Sequence, residues 1–159
     1  MEYPSLVTID PSPLAPSFIR AREYVTAHEL AHQWFYGAIA SDEHRHPVLD
    51  EGLTEFATGQ VIEELYGPRS LGGVASLGLG FWALQGSFSA LSSDDGPLVR
   101  DASAFAGFDA YANLVYRRTA ALFASVSRDS LDAQRALERA LARYAREQRF
   151  RHPTPEDLV

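Results

Sequence analysis

The sequence contains no cysteine and relatively few basic side chains. Without cysteine the chain has no disulfides and no thiolate metal ligands, and it suits a reducing or an oxidising compartment equally. The chain has 14 Lys and Arg residues and 21 Asp and Glu residues, so its net charge is −7. The sequence has no basic stripe that could neutralise phosphates, which argues against a nucleic-acid partner.

A long hydrophobic run is also missing. Residues 71–93 carry no charge and would suffice by count to span a bilayer. However, glycines and serines interrupt this stretch, and aromatic or basic anchors do not flank it. We therefore predict a buried, glycine-tolerant helix or helix pair here, and no membrane span. With 159 residues, 46% of them hydrophobic, the chain can form one core, so we expect a single domain.

The most informative pattern that is present is His-Glu-Leu-Ala-His at residues 28–32. Histidines four apart lie on one face of a helix, so His28 and His32 can reach the same ion. A catalytic zinc site needs three protein ligands and an open position for water, and Glu51 is a suitable third ligand. Glu29 would face the metal-bound water without binding the metal, as a general base must.

The same pentapeptide also occurs on ordinary solvated helices, where its side chains are only surface polar groups. Here it lies in an apolar helical pattern, and an Asp-Glu-Gly element follows at residues 50–52. This combination favours a metal site. Glu55, one turn after Glu51, could accept the free ring N–H of His28 or His32, although an exposed helix carboxylate is the alternative.

Four segments together resemble the aminopeptidase N family of zinc metallopeptidases, of the gluzincin clan and the bacterial type. They are Met-Glu-Tyr-Pro at residues 1–4, the motif with its continuation to Trp34, Asp-Glu-Gly at residues 50–52, and Val-Tyr-Arg-Arg at residues 115–118. The resemblance covers nearly the whole chain. It implies a fragment of a longer enzyme's catalytic core, lacking the N-terminal β domain and most of the sheet lobe.

The resemblance also implies roles. The fold would be mainly α, the helical lobe of a thermolysin-like catalytic domain with a short N-terminal β-strand remnant. One Zn²⁺ would be the cofactor and a peptide the substrate. Tyr116 would stabilise the oxyanion, with Tyr111 a second candidate, and Glu2 would bind the substrate's α-amine. A zinc-binding but inactive fragment and a thermolysin-like zinc endopeptidase stay open as alternatives.

Local patterns predict the elements. We expect a strand over residues 5–9, the motif helix from Phe18 or Arg20 to Ile39 with Ser17 as its cap, and a second helix over 50–66. Further helices are expected over 109–126, capped by Asp109, and from Asp129 or Ser130 to residue 148. An unpaired strand at residues 5–9 would find a partner, so we predict self-association through it or through the apolar face beside it.

Overall fold

The computed structural model describes residues 1–10, 16–74, 76–90 and 96–158, and helices dominate it. The α-helices are α1 (Ala21–Phe35), α2 (Leu53–Tyr66), α3 (Phe81–Ala90), α4 (Phe108–Tyr111), α5 (Thr119–Asp129) and α6 (Leu131–Glu147). The wider π-helical segments are Val48–Gly52 and Ala112–Arg118, and the 3₁₀ turns are Gly67–Arg69, Ala102–Ala104 and Pro155–Leu158. The prediction of a mainly helical fold with a short N-terminal strand is confirmed.

The N-terminal residues form a small antiparallel hairpin rather than one free strand. Strands β1 (Glu2–Tyr3) and β2 (Leu6–Val7) pair with Tyr3 opposite Leu6. The predicted strand over residues 5–9 is therefore shorter, and its partner lies within the same chain. The Gln33 side chain on α1 accepts a hydrogen bond from the Ser5 N–H at 2.7 Å and donates one to the Tyr3 carbonyl at 3.0 Å. These two bonds hold the hairpin, and with it Glu2, against α1.

Helix α1 is shorter than predicted at both ends. It begins after Arg20 without a side-chain cap, so the predicted cap at Ser17 is wrong. The Arg20 N–H instead donates to the Leu71 carbonyl at 2.9 Å, a tertiary contact that local sequence does not reveal. The helix turns His28 and His32 inward and leaves Leu30 and Trp34 exposed.

The second helix matches its predicted span closely, but it opens with a π segment. Val48–Gly52 carries Glu51 and continues directly into α2. Helix α2 ends before Gly67, whose positive φ of 70° is a backbone conformation that glycine adopts far more readily than other residues. π segments widen a helix locally and are frequent at functional sites.

The glycine-rich stretch was predicted as a helix or helix pair, and this prediction is wrong for its first part. Strands β3 (Gly72–Val74) and β4 (Leu77–Leu79) form a second antiparallel hairpin, followed by α3. Gly72 and Gly73 have φ values of 110° and 149°, which residues with a side chain rarely adopt. Both glycines also lie against backbone atoms, Gly72 against Phe18 and Gly73 against Leu77. Residues 75 and 91–93 lie outside the described part. Within the described part, no helix is long and apolar enough to cross a membrane.

Two further helical stretches complete the domain. Helix α4, the second π segment and α5 run on without a break, and Gly107, not Asp109, occupies the cap before α4. Ser130 caps α6 as predicted, because its hydroxyl accepts the Ala133 N–H at 3.1 Å.

The core fixes the position of the two π segments relative to each other. The first packs on the second around a cluster of buried apolar residues that includes Leu49, Leu53, Leu114 and Val115. A Cβ atom at Gly52 would lie 2.5 Å from Thr119 Cγ2 and 3.0 Å from the Val115 carbonyl oxygen. Only glycine permits this close approach, which brings the chain around Tyr116 next to Glu51.

Candidate metal centre

Three side chains converge at the contact between α1 and the first π segment. His28 Nε2 lies 3.1 Å from Glu51 Oε2, His32 Nε2 lies 3.2 Å from the same oxygen, and the two Nε2 atoms are 3.2 Å apart. Ligands bound about 2.0–2.1 Å from a tetrahedral zinc lie about 3.3 Å from one another. Two imidazoles and one carboxylate are also zinc's usual donors, so the residues present fit this ion.

Each histidine has its own hydrogen-bond partner on the ring nitrogen that faces away from the other two donors. His28 Nδ1 lies 3.1 Å from Glu55 Oε2, and His32 Nδ1 lies 2.7 Å from Asp50 Oδ1. Thr54 Oγ1 is a further 3.2 Å contact of His32 Nδ1. An acceptor on Nδ1 stabilises the Nδ1–H tautomer, which leaves the Nε2 lone pair free for a metal.

Both acceptor carboxylates are buried, whereas the sequence left an exposed helix position open as the alternative for Glu55. Glu55 and Asp50 are each 1% exposed. Tyr24 donates its hydroxyl to both Glu55 oxygens, at 3.0 and 2.9 Å, and the Gln85 amide donates to Glu55 Oε1. Sequence patterns did not single out Tyr24 or Gln85, because neither lies in a motif and Gln85 is 30 residues from Glu55.

The hydrogen bonds within the cluster control its protonation. Burial alone would lower the pKa of His28, but its bonds with Glu51 and Glu55 raise that pKa to about 9. Burial also acts to lower the pKa of His32, but the hydrogen bonds with Asp50 and Glu51 outweigh it and raise that pKa to about 10. Burial would raise the pKa of Glu51, yet hydrogen bonds from His28, His32 and Tyr116 bring it down to about 2.

Burial dominates the remaining carboxylate. It raises the pKa of Asp50 to about 6, although the hydrogen bond with His32 acts in the opposite direction. A pKa of about 6 leaves Asp50 mostly ionised at pH 7, so its carboxylate can accept the His32 Nδ1–H.

Glu29 and Glu2 lie beside the three donors. Carboxylate oxygens of Glu2 and Glu29 and a ring nitrogen of His32 are all within 4.8 Å of one another. The Met1 ammonium lies 2.7 Å from Glu29 Oε2 and 3.8 Å from Glu2 Oε2. The hairpin and α1 thus hold two carboxylates on one side of the candidate centre.

Tyr116 packs directly against the cluster. Its ring stacks on the His28 ring with centroids 5.7 Å apart and an interplanar angle of 19°, and its hydroxyl hydrogen-bonds Glu51. Burial and the nearby Glu51 charge raise the pKa of Tyr116 well above its usual value, so the hydroxyl stays a neutral donor. Tyr111 packs edge-on against Tyr116, with ring centroids 5.9 Å apart.

Two cavities flank the cluster and differ in chemistry. The larger, about 400 Å³, is mostly apolar and is walled in part by Leu84 and Phe88, with Glu55 and Tyr116 on the side of the cluster. The smaller, about 230 Å³, is polar. Its lining is Glu43, His44, Asp50, Glu51, Ala102 and Tyr111.

Two further histidines have contacts outside the three-donor cluster. His44 pairs with Asp101 at 3.3 Å, and His152 Nδ1 contacts the Ala40 carbonyl at 2.7 Å.

A mainly helical domain in which two buried histidines and a glutamate converge beside a further carboxylate and a neutral tyrosine has the side-chain set of a mononuclear metallohydrolase. Comparison with protein-family models specifies the family. The chain matches the peptidase family M1 domain over residues 1–159 and belongs to this family of zinc-dependent peptidases. Searches of curated proteins and of solved structures gave no match.

Proposed function

We propose that this domain is the catalytic part of a zinc aminopeptidase that removes N-terminal residues from peptides. The observation that carries the proposal is the spacing of 3.1–3.2 Å among His28 Nε2, His32 Nε2 and Glu51 Oε2. Zinc held by these atoms would supply an activated water at neutral pH. Proton transfer, oxyanion stabilisation and amine recognition are assigned to side chains of this chain.

Glu29 is the proposed general base. It follows His28 on α1 and lies beside the donors without joining them, so it can accept the proton of the attacking water and pass it to the leaving amine. Tyr116 is the proposed oxyanion donor, since its hydroxyl is neutral and held in place by packing on His28. Glu55 and Asp50 would fix the ligand tautomers.

Exopeptidase action requires recognition of a free α-amine. Glu2 is the proposed recognition residue, because its carboxylate lies near Glu29 at the edge of the cluster and would pair with an ammonium group. The position also sets a length stop, since the hairpin that carries Glu2 packs on α1. This arrangement favours the aminopeptidase over a thermolysin-like endopeptidase, which needs an open cleft on both sides.

Substrate choice separates the alternatives. An aminopeptidase releases nitroaniline from an aminoacyl-nitroanilide and leaves an N-blocked peptide intact. An endopeptidase cleaves the blocked peptide instead. A zinc-binding but inactive domain takes up zinc and turns over neither substrate.

The first testable prediction concerns Glu29. Replacement of Glu29 by Gln should keep zinc and lower turnover of an aminoacyl-nitroanilide by about 10²–10⁴-fold, because the base is lost while the ligands stay. Glu23→Gln, an exposed change on the same helix, is the matched control and should leave turnover unchanged. Unchanged turnover in Glu29→Gln would mean that Glu29 is not the base.

A further inference from the structure

The Glu55 carboxylate is held by side chains from two different helices. It is 1% exposed, and three donors surround it: Tyr24 and His28 from α1 and Gln85 from α3. A buried carboxylate is costly unless hydrogen bonds compensate its lost hydration. Tyr24 and Gln85 provide this compensation without adding a charge.

The two oxygens of Glu55 have different partners. Oε1 accepts from the Gln85 amide and from the Tyr24 hydroxyl at 3.0 Å. Oε2 lies 2.9 Å from the same hydroxyl and 3.1 Å from His28 Nδ1. Because Gln85 and Tyr24 fix Oε1, the carboxylate cannot rotate freely, and Oε2 stays directed at His28.

The Gln85 amide has a feature that packing alone does not explain. Its Oε1 is buried without a hydrogen-bond partner among the described residues, and such an atom normally costs stability. Turning the amide around would place this oxygen against the Glu55 carboxylate, which is less favourable still. The orientation with Nε2 on Glu55 is therefore the one the hydrogen bonding requires.

We propose that Gln85 and Tyr24 are positioning residues that set the His28 ring for metal binding by holding Glu55. The inference rests on the proposed role of His28 as a ligand and adds a dependence on α3. His32 has no such dependence, because its partners Asp50 and Thr54 lie within three residues of Glu51. The two histidines are thus oriented independently, one by the segment that carries the third ligand and the other by α3.

Zinc affinity tests the proposal on the full chain. Gln85→Met keeps the side-chain length and removes the donor, and Tyr24→Phe removes one hydroxyl. Each should weaken zinc binding by up to about 10–100-fold, which is the usual effect when a ligand loses its own hydrogen-bond partner, because Glu55 remains but is held less firmly. Competition with a chromophoric chelator measures the affinity. Gln60→Met and Tyr66→Phe, at exposed positions, are the matched controls and should bind zinc like the original chain. Original affinity in both Gln85→Met and Tyr24→Phe would overturn the proposal.

A second measurement does not depend on zinc. In ¹⁵N-histidine-labelled, zinc-free protein at a pH where the rings are neutral, long-range ¹H–¹⁵N spectra report the tautomer of each histidine. His28 should be in the Nδ1–H form and should shift toward a mixture in both variants, while His32 stays unchanged. A His28 tautomer that is the same in all proteins would overturn the proposal. Failure of the original chain to bind zinc would instead refute the proposed function, and the tautomer result would still decide the positioning role.

Discussion

The two histidines of the candidate centre must lose protons before they can bind a metal. Their Nε2 atoms are 3.2 Å apart and both contact Glu51 Oε2, so protons on these nitrogens occupy the space that a metal ion would fill. The raised pKa values of about 9 for His28 and about 10 for His32 mean that at least one of the two zinc-free rings is in its protonated, positively charged form at pH 7.

Proton release on zinc binding follows from this. A raised histidine pKa favours the protonated, zinc-free form below that pKa, so apparent zinc affinity should increase with pH and level off at about 9–10. Titration calorimetry at pH 7 in buffers of different ionisation enthalpy should give at least one proton released per zinc. Zinc affinity that does not change between pH 6 and pH 8 would contradict the raised pKa values.

Local spacing sufficed to select His28 and His32, because positions four apart on a helix share a face whatever the surrounding fold, and Glu29 was selected from its place after the first histidine. Glu51 was predicted as the carboxylate of the Asp-Glu-Gly element that completes the three donors, and Glu55 from its position one turn later on the same helical segment. Tyr24 and Gln85 could not. Their contact with Glu55 depends on how α1 and α3 pack on α2, and no local pattern encodes that packing.

The close contact of the two π segments is what joins the helices that carry the site. Gly52 stands directly after Glu51, where a Cβ would meet Thr119 and the Val115 carbonyl. Any side chain there would push the segment that bears Tyr116 away from Glu51. The π segments were not predicted, because hydrophobic periodicity does not separate a π turn from an α turn.

A pair of glycine replacements tests this contact. Gly52→Ala should lower the free energy of unfolding by about 1–3 kcal/mol through overpacking. Gly86→Ala is the matched control, because nothing lies within 4 Å of its added Cβ in α3, and it should raise the free energy of unfolding by about 0.5–1 kcal/mol. Urea denaturation measures both values. Equal effects of the two replacements would show that the Gly52 contact does not restrict the packing.

The first half of the glycine-rich stretch shows where sequence patterns misled. A run of small and apolar residues fits a buried helix, yet Gly72 and Gly73 have positive φ values, which an α-helix does not contain. The close backbone contacts of Gly72 with Phe18 and of Gly73 with Leu77 require glycine. Two adjacent glycines were the signal, but their tertiary partners are invisible in the sequence.

The exposed apolar side chains around the N-terminal hairpin bear on the prediction of self-association. Leu6 is 59% exposed on β2, and Leu30 and Trp34 are 51% and 59% exposed on the neighbouring helix α1. The hairpin already pairs its two short strands, so the free strand edge that motivated the prediction of self-association is smaller than expected. The apolar face of α1 is the remaining candidate surface.

Self-association through this face stays a prediction. Sedimentation velocity should show a sedimentation coefficient that increases with concentration, and Trp34→Glu should reduce the increase by placing a charge on the face. Leu131→Glu, at another exposed apolar position, on α6, is the matched control and should not change it. A monomer at all concentrations in the original chain would refute the prediction.

Metal content tests the central proposal most directly. After zinc loading and exhaustive dialysis, elemental mass spectrometry should find one zinc ion per chain in the original protein. His28→Ala should retain almost none, whereas His152→Ala, an exposed histidine outside the cluster, should retain one. A zinc-free original chain, or a His28→Ala variant that keeps its zinc, would contradict the assignment of His28, His32 and Glu51 as the metal ligands.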